Sequence, residues 1–335
     1  MKNKLKRIVL VSVVAVVLIV GGLFLGRNKS VSSTIVTPVT NQDRMDVNVG
    51  TVAVSRKAAE AVKILFVGDL MFDRYIRQVA ERRGRDFVFA GVKKMLAENN
   101  LVVGNLEGPI TDSPSVSVAS AMGEKNNYIF TFPSQTSADL GQNNIRLVNL
   151  GNNHILNFGE TGLAQTKAYL QASGIDFFGD PNAGKRLATW KKSGVKVVFV
   201  SYNQFEFDAV NQTLRDIEAA KQLQADKIIL YTHWGKEYTN APEEKIQALA
   251  HQFVDAGADL IIGSHPHVVQ SKEQYQGKFI YYSLGNFIFD QYFTPETQKG
   301  LAVQIAIDPV TKKMTAQEFQ VVMNHSGQTL QSLKK

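Results

Sequence analysis

From residue 62 onward, short β-branched apolar runs alternate with segments of helical period, and no other feature of the chain constrains its fold as much. The runs at 63–67, 101–103, 146–150, 176–178, 196–201, 227–231, 260–262, 279–283 and 301–307 have the length and residue types of buried strands. Helical spacing predicts helices over 74–83, 87–98, 160–173, 211–224 and 242–256, the last with Pro242 at its first position. Strands alternating with helices predict an α/β domain whose helices cover a largely buried sheet. The last two strands follow one another with no helix between them, which implies some antiparallel pairing.

The unusual polar residues fall just after these strands. The first run ends in Gly68-Asp69, the second in Gly104-Asn105-Leu106-Glu107 and the third in Gly151-Asn152-Asn153-His154. Two later runs end in Thr232-His233-Trp234-Gly235 and Gly263-Ser264-His265-Pro266-His267. Ligands in open α/β sheets bind at the carboxyl ends of strands, so five such exits can build one site from distant sequence. Taken singly each is weak: Gly-Asp after a strand is an ordinary turn, Asn152-Asn153 supplies left-handed turn residues, and His233 beside Trp234 suits a packed surface pair. Their conjunction points to a shared site. Imidazole, carboxylate and amide oxygen suit a hard or borderline divalent ion. Four of the six histidines lie in these segments; His251 and His325 do not, and read as structural.

Residues 8–26 form an uninterrupted apolar stretch preceded by four positive residues. Its length fits one bilayer crossing, and its flank predicts a cytoplasmic N-terminus at 1–7 with the remainder outside the cell membrane. A cleaved signal peptide would have a shorter apolar core and a small-residue cleavage site, so the stretch reads as a retained anchor. Residues 27–60 read as an extended linker, 61–325 as the globular domain and 326–335 as a tail. The net charge of +7 is mostly local: six of the 37 bases and no acid lie in residues 1–29, leaving 31 bases against 30 acids elsewhere. That balance argues against nucleic-acid binding. Five arginines between Arg74 and Arg85 form either a solvated helix face or a patch for an anionic polymer. There is no cysteine, so disulfides and thiolate metal sites are excluded.

The blocks FVGDLMFDR, VGNLEGPIT, NNHILNFGETGL, THWGKEY, AGADLIIGSHPHVVQ and YYSLGNFIFDQ, in this order, resemble the poly-gamma-glutamate capsule biosynthesis (CapA) family over about residues 62–290. The resemblance extends to the calcineurin-like metallophosphoesterases and implies an α/β/β/α sandwich with metal held at strand ends. On that pattern Asp69, Glu107, Asn153, His233, His265 and His267 match metal ligands, and His154 matches the histidine that acts on the leaving group. Arg74, Asn105, Asn152 and Asn286 are candidates for substrate contact. Three positions depart from the pattern: Met71 stands for a metal histidine, Asn157 for an aspartate, and Ser264 for a histidine before His-Pro-His.

The resemblance therefore implies a metal-dependent hydrolase of surface-polymer production, which the stretch at 8–26 would anchor to the membrane. It would use Mn, Fe or Zn at one or two sites, and its partner would be an anionic polymer or the membrane synthase that makes it. The alternative is a non-catalytic subunit that binds the polymer and helps its export. A phosphodiesterase acting on nucleotides or lipids is a third reading, which rests on the wider superfamily alone.

Overall fold

The computed structural model describes residues 60–182 and 184–332. The expected N-terminus at 1–7, the anchor at 8–26 and all but the last residue of the linker lie outside them. Among the described residues no helix is long and apolar enough to cross a membrane.

Two sheets build the domain. The first contains β1 (Val62–Leu70), β2 (Leu101–Leu106), β3 (Ile145–Asn149) and β4 (Asp176–Phe178), parallel neighbours in that order. The second contains β5 (Leu187–Lys192), β6 (Val195–Asn203), β7 (Lys227–His233), β8 (Leu260–Ser264), β9 (Lys272–Tyr275) and β10 (Lys278–Tyr281), ordered β5-β6-β7-β8-β10-β9. The chain then returns to the first sheet. On the edge of β1 away from β2, β11 (Asn286–Ile288) pairs parallel with Asp69 and Leu70 and β12 (Lys299–Ile307) pairs antiparallel with residues 62–66, and β13 (Met314–Met323) and β14 (Thr329–Gln331) extend the sheet antiparallel beyond β12.

Strand alternation sorts the core into three layers. Ile64, Phe66, Leu101, Val103 and Leu147 of the first sheet meet Val197, Phe199, Ile229, Tyr231 and Ile262 of the second in one buried cluster. Leu65, Val67, Val102 and Val148 face the other way, onto α1 (Arg74–Arg83), α2 (Lys93–Ala97), α3 (Thr136–Gln142) and α4 (Gly159–Ala172). Val198, Val200, Leu230 and Ile261 pack under α5 (Ala209–Gln222) and α6 (Glu244–Ala256). The architecture is α/β/β/α, the mixed form of the expected class, because both faces of both sheets are apolar and need covers. Phe199, whose ring lies 6.3 Å from that of Phe66 across the inter-sheet layer, is fully buried. Its truncation to Ala is expected to cost about 3–5 kcal/mol in urea unfolding, with an unchanged denaturant slope.

Several expectations are corrected. The helix expected over 87–98 is broken into a 3₁₀ turn, Arg85–Phe89, and the short α2. Gly91 lies between them and bridges to Leu330, where a Cβ would come within 2.7 Å of the Thr329 carbonyl oxygen. Pro242 does not open α6: Glu243 is extended, with ψ 149°, and the helix begins at Glu244. The expected tail contains β14, so the sheet continues past residue 325. β5, β9 and β13 escape apolar patterning because each leaves much of one face exposed and polar.

Candidate metal centre

The inter-sheet layer changes character at the carboxyl ends of the parallel strands. In β2 the positions facing the second sheet run Leu101, Val103, Asn105; in β7 they run Ile229, Tyr231, His233. The same two-residue phase leads from Leu147 to Asn149 and from Ile262 to Ser264. Register sets these residues side by side. Asn286, Asp69, Asn105 and Asn149 are successive pairing partners across the first sheet, and Asn203, His233 and Ser264 across the second. β1 reaches this row through an irregularity: Phe66 pairs with Val103 but Asp69 with Asn105, one residue more on β1 than on β2. Such a bulge re-aims the side chains beyond it, and here it brings Asp69 into the row with Asn105.

Asp69, Asn105, Glu107, His233 and Asn286 are fully buried, and His265 and His267 nearly so. Donor atoms of Asp69, Glu107 and His233 lie within 4.8 Å of one another. The Asn105 amide nitrogen is 2.9 Å from Asp69 Oδ1, 3.4 Å from Glu107 Oε2 and 3.3 Å from His233 Nδ1. Asn153 Oδ1 is 2.8 Å from His233 Nε2. His265 and His267 hold φ of 95° and 57°, a left-handed backbone that costs energy outside glycine and occurs at functional sites.

Backbone groups settle the tautomer of His267. The Asn286 amide nitrogen donates to the carbonyls of His267 (3.4 Å) and Thr297 (3.0 Å), so its Oδ1 is the acceptor facing His267 Nδ1 at 3.0 Å. Nδ1 therefore carries the proton, within 3.2 Å of Asp69 Oδ2 as well. His267 Nε2 stands 3.4 Å from Glu107 Oε1, and that oxygen is buried with no hydrogen-bond donor. A buried carboxylate oxygen without a donor leaves room for a proton or a cation between it and His267. Burial raises the Glu107 carboxyl well above the ordinary range, with the Asp69 charge adding to it. Burial lowers His233 well below the ordinary range and His265 to about 3, so both present neutral nitrogens. The donor set suits a divalent ion.

His154 stands beside this cluster, its ring centroid 4.4 Å from that of Phe130 and tilted 37° to it. Asn157 Oδ1 accepts the Phe130 backbone N–H at 2.8 Å and lies 3.2 Å from His154 Nδ1, so the amide orients the ring in the carboxylate's place. Burial lowers His154 to about 4. Asn152 points away from solvent, donating to the Leu106 carbonyl and to Asn105 Oδ1. Asn286 holds His267 as described. Arg74 sits apart from the ligands: its guanidinium lies between Phe130 and Phe289, pairs with Asp290 and donates to Asn127 Oδ1 at 3.0 Å. It lines a cavity of about 450 Å³ together with Asn127, Tyr128, Tyr238, Asp290 and Gln291. Tyr238, one of its lining residues, stacks toward His267, with centroids 6.0 Å apart.

Met71 is a core residue: its sulfur accepts the Asp73 backbone N–H at 3.0 Å within the layer under the helices. Trp234 is no surface residue but is fully buried, its indole N–H on the Tyr282 carbonyl. Of the five arginines in the 74–85 run, Arg74, Arg77 and Arg85 are spent on internal carboxylates of Asp290, Asp73 and Asp139. Sequence reasoning passed over Asn149 and Ser201, which brace Asn105 from behind: Ser201 donates to Asn149 at 2.8 Å, and Asn149 to Asn105 at 3.2 Å. The available signal was Asn149 standing two residues beyond the core-facing Leu147, in phase with Asn105 and His233.

The family model described as bacterial capsule synthesis protein PGA_cap matches residues 63–291. The PGA biosynthesis protein CapA of Bacillus subtilis (strain 168) is 31% identical over 253 residues, 70% of this chain and 65% of that protein. The capsule biosynthesis protein CapA of Bacillus anthracis is 32% identical over 271 residues, 74% of this chain and 64% of that protein. The chain thus spans just under two thirds of the length of these curated relatives. Among solved structures, TT1561 of Thermus thermophilus aligns over 77% of this chain and 98% of its own, at a TM-score of 0.44 and 9% identity, too loose a likeness to carry an argument.

Proposed function

The chain belongs to the bacterial capsule synthesis protein family PGA_cap, and from that premise we propose that it is a metal-dependent, phosphoesterase-type hydrolase acting in the production of poly-gamma-glutamate or a related anionic surface polymer. One observation carries the metal: the buried, unpartnered Glu107 Oε1 facing His267 Nε2 at 3.4 Å. Asp69, Glu107 and His267 would hold the ion, with His233, His265 and Asn153 on its other flank. When bound, a Mn, Fe or Zn ion supplies Lewis acidity and lowers the pKa of a water ligand.

The protein's own groups do the rest. The cavity between Arg74 and Tyr238 takes the substrate beside the centre. Asn157 keeps the His154 proton on Nδ1 and leaves Nε2 open. An anionic substrate next to Nε2 favours the imidazolium, which then donates its proton to the leaving-group oxygen. Residues 8–26 would tether the domain to the outer face of the cell membrane, near a synthase.

The reading is tested with the full chain in detergent, reconstituted with Mn(II), on bis(p-nitrophenyl) phosphate and on poly-gamma-glutamate. His154→Ala is expected to lower turnover by about 10²-fold or more with metal content unchanged. If neither substrate is turned over by the metal-loaded wild type, and polymer export in cells survives His154→Ala, the non-catalytic export subunit becomes the better account.

A further inference from the structure

We infer that Asn105 restricts this centre to a single cation, held on the side of Asp69, Glu107 and His267; the inference rests on the metal reading above. The amide orientations follow, one from the next, from backbone groups whose donor and acceptor roles are unambiguous. Asn149 Oδ1 accepts the Gly151 backbone N–H at 3.2 Å, so its amide nitrogen is the atom that points at Asn105. Asn152 Oδ1 accepts the His154 backbone N–H at 3.1 Å, and its nitrogen donates to the Leu106 carbonyl at 2.9 Å. That nitrogen also reaches Asn105. Asn105 thus meets two N–H donors, each at 3.2 Å, on one side of its amide, and the atom facing them must be its oxygen. Its NH₂ group is left pointing between Asp69, Glu107 and His233.

The consequence is an asymmetric centre. On one side lie both carboxylates, the unpartnered Glu107 oxygen and His267 Nε2 facing it. On the other lie His233, His265 and Asn153, and the amide hydrogens of Asn105 stand at the boundary, against Asp69 Oδ1, Glu107 Oε2 and His233 Nδ1. A dication in a buried site needs an anion to offset its lost hydration, and amide hydrogens repel it. The second half has an unspent ligand in the buried, unpartnered His265 Nδ1, but no charge. Asparagine in place of aspartate at residue 105 is therefore what keeps the second half empty.

The test counts ions in the full chain in detergent, after loading with excess Mn(II) and desalting. The wild type is expected to retain one Mn per chain with the EPR spectrum of an isolated Mn(II). Asn105→Asp is expected to retain two, with the multiline spectrum of an exchange-coupled pair. His265→Ala gives a reading that does not depend on the aspartate variant folding, and is expected to leave the wild-type count at one. Two ions in the wild type, one ion in a folded Asn105→Asp protein, or loss of the ion in His265→Ala would each overturn the inference while leaving a metal centre in place. No retained metal in the wild type would instead remove the metal reading itself.

Discussion

Replacing Asp69 by asparagine is expected to abolish the stabilisation that a divalent ion gives. Asp69 and Glu107 are the two carboxylates of the centre, both without solvent exposure. In the metal-free protein their proximity is unfavourable, as the raised Glu107 carboxyl records, with burial the first cause and Asp69 the second. Asp69→Asn is nearly isosteric and removes that repulsion, but its NH₂ must face either the Asn105 NH₂ or the N–H groups of His265 and His267, so the metal-free variant should melt somewhat below the metal-free wild type. With Mn(II) at about 100 times the dissociation constant, the wild type should gain about 2.7 kcal/mol by mass action. In a domain of this size that corresponds to about 5–10 °C in Tm. The variant has lost one of two anionic ligands and should gain almost nothing over the same titration. Binding to the wild type should also release a proton, since the Glu107 carboxyl must ionise to take the ion. Scanning calorimetry with and without Mn(II), in two buffers of different ionisation enthalpy, measures all three quantities. Equal metal-induced shifts in both proteins would remove Asp69 from the ligand set.

Gly68→Ala should be severely damaging for the addition of a single methyl group. A Cβ at residue 68 would lie 1.8 Å from the Gly285 carbonyl oxygen and 2.9 Å from its carbon. Neither atom belongs to a side chain that can swing away. The same carbonyl accepts the Asp69 backbone N–H at 3.1 Å, so relieving the clash means separating β1 from the entry to β11. That separation moves Asp69 against its partners Asn105 and Asn286. The expected cost is about 3 kcal/mol or more, with loss of metal retention even in the fraction that stays folded. Gly141→Ala is the control. It lies in α3, its nearest contact would be 3.4 Å from the Arg146 guanidinium, and its backbone is helical. There alanine should be neutral or stabilising by up to about 1 kcal/mol. Chemical denaturation of both variants decides the matter: a small effect at Gly68 would mean that β1 and β11 are not held at the spacing described.

Much of this protein was legible in one dimension. Alternation of β-branched runs with helical segments was enough for the α/β class, since the periods of 2 and 3.6 are local properties of the chain. The strand exits located Asp69, Glu107, His154, His233, His265 and His267, because residues that leave parallel strands at the same end must meet. Strands that pattern poorly were missed for an equally local reason: β13 and β9 expose one face and need no apolar run. Tertiary structure decided which polar groups do what. The extra residue between Phe66 and Asp69 brings the aspartate into line with Asn105, and nothing in the local sequence announces it. The roles of Asn105, Asn149, Asn152 and Asn286 depend on which end of each amide meets a backbone donor or acceptor far away in the chain. Arg74 reads as a free cation in sequence, yet its charge is answered by Asp290 more than two hundred residues later. A hydrogen bond has a direction and a charge needs a partner within a few ångströms, and both are properties of neighbours in space rather than of neighbours along the chain.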